Sequence, residues 1–322
     1  MIKLISTVLF ATILSAVASA QDYPTRPVTI VVPFTAGGTT EILARIVGQK
    51  LEERLGKPFL VETKPGAGTA IGSNAVAKST PDGYTLLMAT STPMAINVTL
   101  HKNLPYDPAT DFVPLALVAQ SPFVLLVNPD LPVKSVADLV AYAKANPGKL
   151  SFGSGGAGAP HHLFGELFKS MTGTQMTHVP YRGTLPALND VVGGHIQFMF
   201  SDVPPSAGMI QAGRVRAIGV STAGRLPAFP DIPPIAQAGV PGFDAAAWLM
   251  LVAPAKTPGP IVEKLHNELK RVFATPDAKE QLARLSLLPL DSPSITDMQN
   301  FVKAEILRWG RVVAQAGIAG SE

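Results

Sequence analysis

The sequence predicts an α/β protein of two lobes, each built on a mainly parallel sheet, with a ligand cleft between them. Three observations lead there. Short apolar, β-branched runs alternate with amphipathic helical runs. The alternation occurs in two separate units, with apolar stretches at 115–127 and 248–253 that read as crossings between them. Each unit also carries a glycine-rich turn between a strand and a helix, where α/β sheets place their ligands.

The first unit opens with a buried strand at Val28–Val32 and a Gly-Gly turn. A helix follows, with Ile42, Leu43, Ile46, Val47, Leu51 and Leu55 at helical spacing and a stop at Gly56 and Pro58. Strands at Phe59–Thr63 and Thr85–Ala89, with a helix at Ile71–Lys78 between them, complete a βαβαβ unit. Leu115 to Val127 is apolar except at Gln120-Ser121-Pro122 and reads as a strand pair leaving this unit. The second unit begins with a helix at Val136–Asn146, whose Ser135 and Asp138 form a capping box. A strand at Leu150–Phe152, a helix at His162–Met171, and strands at Met176–Val179, Ile196–Phe200 and Val215–Val220 follow. The proline-rich stretch from Arg225 to Phe243 reads as a surface loop, and Trp248–Ala253 as the strand that crosses back. The tail is helical at Ile261–Phe273, Asp277–Leu285 and Ile295–Ala316, the last with Ser294 and Asp297 as a second capping box. Lobe one is therefore expected at 21–122 plus 246–322, and lobe two at 123–245. Trp248 and Trp309 sit in apolar periodic runs and read as core.

Residues 1–20 read as a signal peptide. Lys3 supplies the positive start, Leu4 to Val17 the apolar stretch, and Ala18-Ser19-Ala20 the small-x-small cleavage site, with the cut before Gln21. The apolar run is shorter than the roughly 20 residues of a membrane span. The chain contains no cysteine, which excludes a lipidated cysteine, disulfides and thiolate chemistry. A mature chain of this size is expected to be held by its core and to reside in the periplasm. Net charge is +3 and drops by one with Lys3. No lysine/arginine cluster gives a nucleic-acid footprint.

The first turn runs Pro33-Phe34-Thr35-Ala36-Gly37-Gly38-Thr39-Thr40-Glu41, and the second Phe152-Gly153-Ser154-Gly155-Gly156-Ala157-Gly158-Ala159-Pro160-His161-His162. Glycines let backbone approach a ligand, and the free N–H groups of a helix start attract anions by about 0.3–1 kcal/mol, up to about 2 when partly buried. Two such turns, one per lobe, suggest a pair of anion clamps. A plain βα turn with a helix cap explains either one alone. Gly153, Gly155 and Gly158 match G-x-G-x-x-G, but Thr172–Tyr181 holds no acidic residue to meet a ribose, so no nucleotide cofactor is expected. His162 and Glu166 lie four apart beside His161, yet no third ligand accompanies them, so no metal is expected and a hydrogen-bonding role fits better. The closest approach to G-x-S-x-G, Gly219-Val220-Ser221-Thr222-Ala223, ends in alanine. Arg45 suits a tie between helix and loop, and Arg182, just after a second-lobe strand, is placed to reach an anion.

Several segments together resemble one family. They are Pro33-Phe34-x-x-Gly37-Gly38-x-Thr40-Glu41-x-x-Ala44-Arg45, Pro65-Gly66-Ala67-Gly68, Pro81-Asp82-Gly83-Tyr84-Thr85, Leu104-Pro105-Tyr106-Asp107-Pro108, His178-Val179-Pro180-Tyr181-Arg182-Gly183, and Trp248 followed by Ala253-Pro254-Ala255. In this order, across the whole mature chain, the sequence resembles the extracytoplasmic solute-binding receptors of tripartite tricarboxylate transporters, the Bug-type proteins. The resemblance implies a two-lobed Venus-flytrap fold that closes on a small carboxylate, a dicarboxylate or an aromatic one, partly through ordered water. It implies ligand contacts from Phe34, Gly37, Gly38, Thr40 and Glu41 and from Ser154, Gly156, Ala157, Gly158 and Ala159. Thr90, Ser91, Arg182, Ser201 and Asp202 would form pocket walls. It also implies delivery to inner-membrane transporter subunits; the receptor is expected to act as a monomer, without cofactor, metal or nucleic acid.

Three departures stand out. Glu41 replaces the family's usual Asp, Ala157, Ala159 and Pro160 replace polar residues of the second loop, and Ser201 precedes Asp202 where relatives carry Asp directly. A less polar second loop suits a larger or more apolar ligand such as an aromatic carboxylate. A secreted α/β enzyme acting on a small carboxylic acid is the alternative, and a receptor tuned for signalling a third reading; turnover of candidate ligands would separate enzyme from receptor. N-terminal sequencing of exported protein is expected to begin at Gln21, and a retained apolar N-terminus would disprove the cleavage assignment.

Overall fold

The computed structural model describes residues 23–322; the expected signal peptide and its expected cut before Gln21 lie outside them. The first unit comprises β1 (Val28–Val32), α1 (Thr39–Leu55), β2 (Phe59–Thr63), α2 (Ala70–Ala77) and β3 (Thr85–Thr90). After it come a π-helical turn at Thr92–Ile96 and the short α3 (Asn97–Leu100). Then β4 (Phe112–Val127) leads to α4 (Val136–Ala145), β5 (Ser151–Ser154), α5 (Pro160–Thr172), β6 (Thr177–Pro180), α6 (Thr184–Val192), β7 (Phe198–Asp202), α7 (Val203–Gln211) and β8 (Arg216–Val220). The chain returns through β9 (Ala246–Pro254) and ends in α8 (Gly259–Ala274), α9 (Pro276–Arg284), β10 (Leu288–Pro289) and α10 (Ile295–Gln315).

The strands run in the order β2-β1-β3-β9-β4-β7-β5-β6, with β8 and β10 also pairing β4, so that two mixed sheets share β4. Parallel ladders join β1 to β2 and β3, and β5 to β6 and β7. Every antiparallel ladder involves β4 or β9. Each unit thus keeps a parallel centre, and the crossing strands supply the antiparallel pairs.

The expected strand pair at 115–127 is one continuous strand of 16 residues. Gln120-Ser121-Pro122 does not break it, because Pro122 stands where the strand changes sheets. Pro122 pairs with Ala246 at the end of the first ladder, and Phe123 pairs with Asp202 at the start of the second. A residue without an N–H fits such a ladder end. The next amide is caught by a side chain: Phe123 N donates to Ser221 Oγ at 2.9 Å, and Ser221 N to Phe123 O at 2.9 Å.

Besides the π-helical turn and the short α3, two longer helices escaped the sequence reading. Helix α6 contains Pro186, Asn189 and Asp190, and α7 begins Val-Pro-Pro and contains Gly208. Such residues are poor helix formers in isolation, but prolines in a first turn occupy positions whose N–H has no helical partner. Burial of Ala187, Leu188 and Val191 decides for helix in α6. The 225–243 loop is irregular but not superficial, since Leu226, Ile235, Val240 and Phe243 are buried. Both capping boxes have their expected N-cap bond, from Asp138 N to Ser135 Oγ and from Asp297 N to Ser294 Oγ, and Gly56 ends α1 at φ 72°.

One apolar core runs through both units. Met94, Ala95, Ile96 and Leu100 pack in the same cluster as Phe123, Phe164, Phe200, Trp248 and Trp309. A second cluster lies under α1, α8 and α9, and a third under α6 and α7. Packing is close along α5, where a Cβ on Gly165 would lie 2.2 Å from Phe152 Cε2. Gly165→Ala gains about 1 kcal/mol of helix propensity, but overpacking costs about 1–3 kcal/mol. The variant is expected to be less stable, seen as a lower urea midpoint at unchanged slope; a midpoint at or above wild type would refute this packing.

Candidate functional site

The carboxyl ends of β1 and β3, parallel neighbours, deliver the first turn and Thr90-Ser91. Those of β5, β6 and β7, likewise parallel neighbours, deliver the second turn, Arg182, and Ser201-Asp202. The two groups meet at the second turn. Thr92 Oγ1 donates to Gly158 O at 3.5 Å, and a Cβ on Gly158 would lie 2.1 Å from Leu100 Cδ2 and 3.9 Å from Asn97 Oδ1. Gly158, at φ +69°, is seated directly against the π-helical segment of the first unit.

Both turns are held by the same local device. In the first, Gly37 N donates to Glu41 Oε2 at 2.6 Å; in the second, Gly158 N donates to His162 Nδ1 at 3.1 Å. Each glycine amide is thus captured by the side chain four residues ahead, on the first turn of the following helix. Glu41 is buried, and its other oxygen accepts from Arg45 Nε at 2.9 Å and Nη2 at 2.5 Å. The Gly37 amide and the Arg45 guanidinium hold its carboxyl below the ordinary carboxylate range. Glu41 and Arg45 are therefore directed at the loop and at each other. Gly38 caps α1 without a side-chain bond, so neither Thr39 nor Thr40 is the N-cap. Thr35 to Gly38 are exposed, and the first amides of α1 have no helical acceptor.

The second turn rests on two imidazoles. His162 stacks on His178 with centroids 3.6 Å apart and planes 11° apart. Ser154 Oγ donates to Gly156 O at 2.9 Å and accepts from Gly156 N at 3.2 Å; His178 Nε2 reaches the same hydroxyl at 2.6 Å. Ser154 is fully buried, so its side chain shapes the loop. Lys169 Nζ donates to both oxygens of Glu166 at 2.8 Å. Burial, with Lys169, brings His162 down to about 4; burial, with His162 and Lys169, brings His178 down to about 3.

Next to this pair, His161 Nε2 lies 2.9 Å from Asp202 Oδ2 and 3.0 Å from Thr184 Oγ1, and Thr184 Oγ1 donates to Asp202 Oδ2 at 3.1 Å. Burial presses the Asp202 carboxyl upward, but the His161 charge and the hydrogen bonds from His161 and Thr184 outweigh it and hold the group low. Ser201 is buried and donates to Asp202 O at 3.1 Å. Thr90 Oγ1 accepts from Thr92 N at 3.3 Å, whereas Ser91 Oγ is buried without a partner. Arg182 is exposed and, among the described residues, pairs with no acidic side chain. Gly156, Ala157 and Ala159 are half-buried on the second turn, and Phe34 packs half-buried beside the core of the first unit. Among the described residues no group of three His, Cys, Asp or Glu is arranged to hold a metal ion. His161 was expected to form hydrogen bonds, but its partners Thr184 and Asp202, 23 and 41 positions away, were not; nor was the contact of His178 with Ser154, 24 positions away, because no local pattern marks such pairs.

A two-lobed α/β protein with a glycine-rich turn at a strand end of each unit fits the class of extracytoplasmic solute-binding proteins, and the comparisons identify the group. Residues 43–318 match the model TctC, described as the tripartite tricarboxylate transporter family receptor, and the chain belongs to this family. It is 39% identical to a protein of Agrobacterium vitis encoded in the TAR-I ttuE-ttuC' intergenic region, over 98% of this chain and 92% of that one. It is 35% identical to BugT of Bordetella pertussis, over 94% and 93%. Among solved structures, R. palustris Rpa4515 with adipate superposes with TM-score 0.87 at 41% identity, over 92% of this chain and 99% of that one. MatC from Rhodopseudomonas palustris with bound malate gives 0.82 at 33%, over 90% and 100%.

The imidazole pair makes stability depend on pH. Both histidines titrate in the folded protein at about 4 and about 3, below the ordinary 6.5. As pH falls through 6.5 the unfolded chain takes up protons that the native state refuses. Stability present in full above 6.5 is lost progressively towards pH 4 and 3. Melting temperature measured from pH 7 to 4 is expected to fall, and His178→Gln to flatten that slope by about one proton. An unchanged slope in the variant would contradict the buried neutral pair.

Proposed function

We propose that the protein is a periplasmic receptor, not an enzyme, that captures a small dicarboxylate between its two lobes and presents it to inner-membrane transporter subunits. The observation that carries this reading is the charge balance at the facing loops. Both acids there are already engaged, Glu41 by Gly37 and Arg45 and Asp202 by His161 and Thr184. What remains for a ligand is two helix N-termini, the unpartnered Ser91 hydroxyl and the exposed Arg182. Such a set favours anions at both ends of a short molecule. Relatives with adipate and malate support a dicarboxylate. Ala157 and Ala159 favour, as a second reading, an aromatic carboxylate against the same loop.

The lobes on this reading are 21–122 with 246–322, and 123–245, hinged where Pro122 pairs with Ala246. The ligand contacts are Phe34, Gly37, Gly38, Thr40, Ser91, Gly156, Ala157, Gly158, Ala159 and Arg182. Glu41, Thr90, Ser154, Ser201 and Asp202 act from behind, by holding the loops. The receptor works as a monomer, without cofactor or metal.

Melting curves with adipate, malate, terephthalate, benzoate and adipamide test this. A ligand bound only by the native state raises the melting temperature, so a dicarboxylate is expected to do so and the uncharged adipamide not. A shift from adipamide equal to that from adipate would sink the anion reading, and chemical turnover of a bound acid would favour the enzyme. Gly38 has room for a Cβ, the nearest atom being Thr35 O at 3.9 Å, so Gly38→Val is expected to fold. Hydrogen bonds to a charged group contribute about 1.5–3 kcal/mol each, and blocking one predicts at least about tenfold weaker binding by calorimetry. Wild-type affinity in this variant would move the ligand away from the first loop.

A further inference from the structure

The chain has two tryptophans, and both direct their indole N–H to one side chain. Trp248 Nε1 donates to Glu305 Oε2 at 2.8 Å, and Trp309 Nε1 to the same oxygen at 2.9 Å. Glu305 Oε1 accepts from Arg308 Nη1 at 3.3 Å, while Arg308 Nη2 donates to Asp244 O at 2.7 Å. Glu305 is only 7% exposed. A carboxylate so enclosed remains there because several donors hold it at once.

The partners of Glu305 are parts that any lobe movement would have to relate. Trp248 lies in β9, opposite Gln120 of β4, two pairs from the Pro122–Ala246 switch. Asp244 lies on the segment leading into β9. Trp309 stacks on Phe164 of α5, centroids 5.8 Å apart and planes 19° apart. Phe164 in turn meets Phe123, the first residue of β4 past the switch, and Phe123 meets His161. His161 opens α5 beside the second glycine-rich turn and bonds Asp202. A continuous packed path therefore leads from the crossing strand through Glu305 to the N-terminus that faces the first unit.

We infer that Glu305 is a positioning residue of the binding site: by gripping both indoles it fixes α5, and with it the second ligand loop, against the hinge strand β9. Its consequence for ligand closure rests on the receptor reading above, whereas the grip itself can be tested without any ligand. Contiguity alone does not demonstrate coupling, so the decisive measurement is a response that is local and non-additive.

Amide hydrogen exchange on the ligand-free protein supplies it. In Glu305→Gln the carboxamide brings an N–H₂ group towards Arg308 and weakens the shared acceptor. Exchange at residues 155–163 is expected to accelerate about fivefold or more, with less than about twofold change at residues 35–41. Trp309→Phe keeps a ring against Phe164 and removes one donor; it is expected to accelerate the same segment less, and to reduce the further effect of Glu305→Gln. It also supplies the test if Glu305→Gln fails to fold. Equal acceleration of both loops would assign Glu305 to general stability, and unchanged exchange at 155–163, or strict additivity of the two substitutions, would equally overturn the inference. If the local acceleration occurs but none of the acids binds, the grip stands and the receptor reading falls.

Discussion

The constraint on which the rest of the structure depends is that one strand serves two sheets. β4 lies against β9 up to Pro122 and against β7 and β8 from Phe123 onward. At the change-over the proline has no N–H to place, and the following amide is taken by Ser221. From this junction the parallel strands of each unit extend outward; the second glycine-rich turn, at the end of β5, meets the segment that follows β3 through Gly158 and Thr92. The two sets of strand ends are brought together because the sheets they belong to share β4.

At the site, rigidity and openness come from the same atoms. Each glycine-rich turn gives one amide to a side chain four residues ahead, Gly37 to Glu41 and Gly158 to His162. The turn is fixed and its remaining amides stay available. The chemistry of the two captors differs. A carboxylate neutralised by Arg45 serves in the first loop, and in the second an imidazole kept neutral by burial and by the nearby Lys169 charge. Neither device adds uncompensated negative charge beside the mouth, which suits a site meant for anions.

Much of this was legible in the sequence, and for identifiable reasons. β1 falls on its expected residues because a buried parallel strand reads as a continuous apolar run between breakers, and the edge strand β2 is bounded by Pro58 and Pro65. The two turns were legible as strand-to-helix connections because glycine clusters between an apolar run and an amphipathic run mark them. What escaped was whatever tertiary contact decides. α6 and α7 carry prolines and asparagine that argue locally against helix, and burial overrides them. Gln120-Ser121-Pro122 looks like a break because a proline inside a strand usually is one. The roles of His178, Thr184 and Glu305 depend on partners 18 to 57 residues away. Glu41 was legible as a residue of the first loop, but not as one whose charge is consumed there.

The shared strand also limits how this protein can vary in length. Beyond the switch, side chains alternate strictly between two cores: Phe123, Leu125 and Val127 enter one, Val124 and Leu126 the other. Inserting or deleting a single residue near Pro122 would exchange these faces along the rest of the strand. It would also shift β7 and β8 against β9, so the damage could not be confined to one lobe. Bulges already absorb irregularity nearer the start of β4, between Pro114 and Ala116 and between Leu117 and Ala119, and the irregular 225–243 segment lies outside the ladder. Length changes should therefore gather in such segments, while the stretch from Gln120 to Val127 keeps its residue count even where its composition drifts.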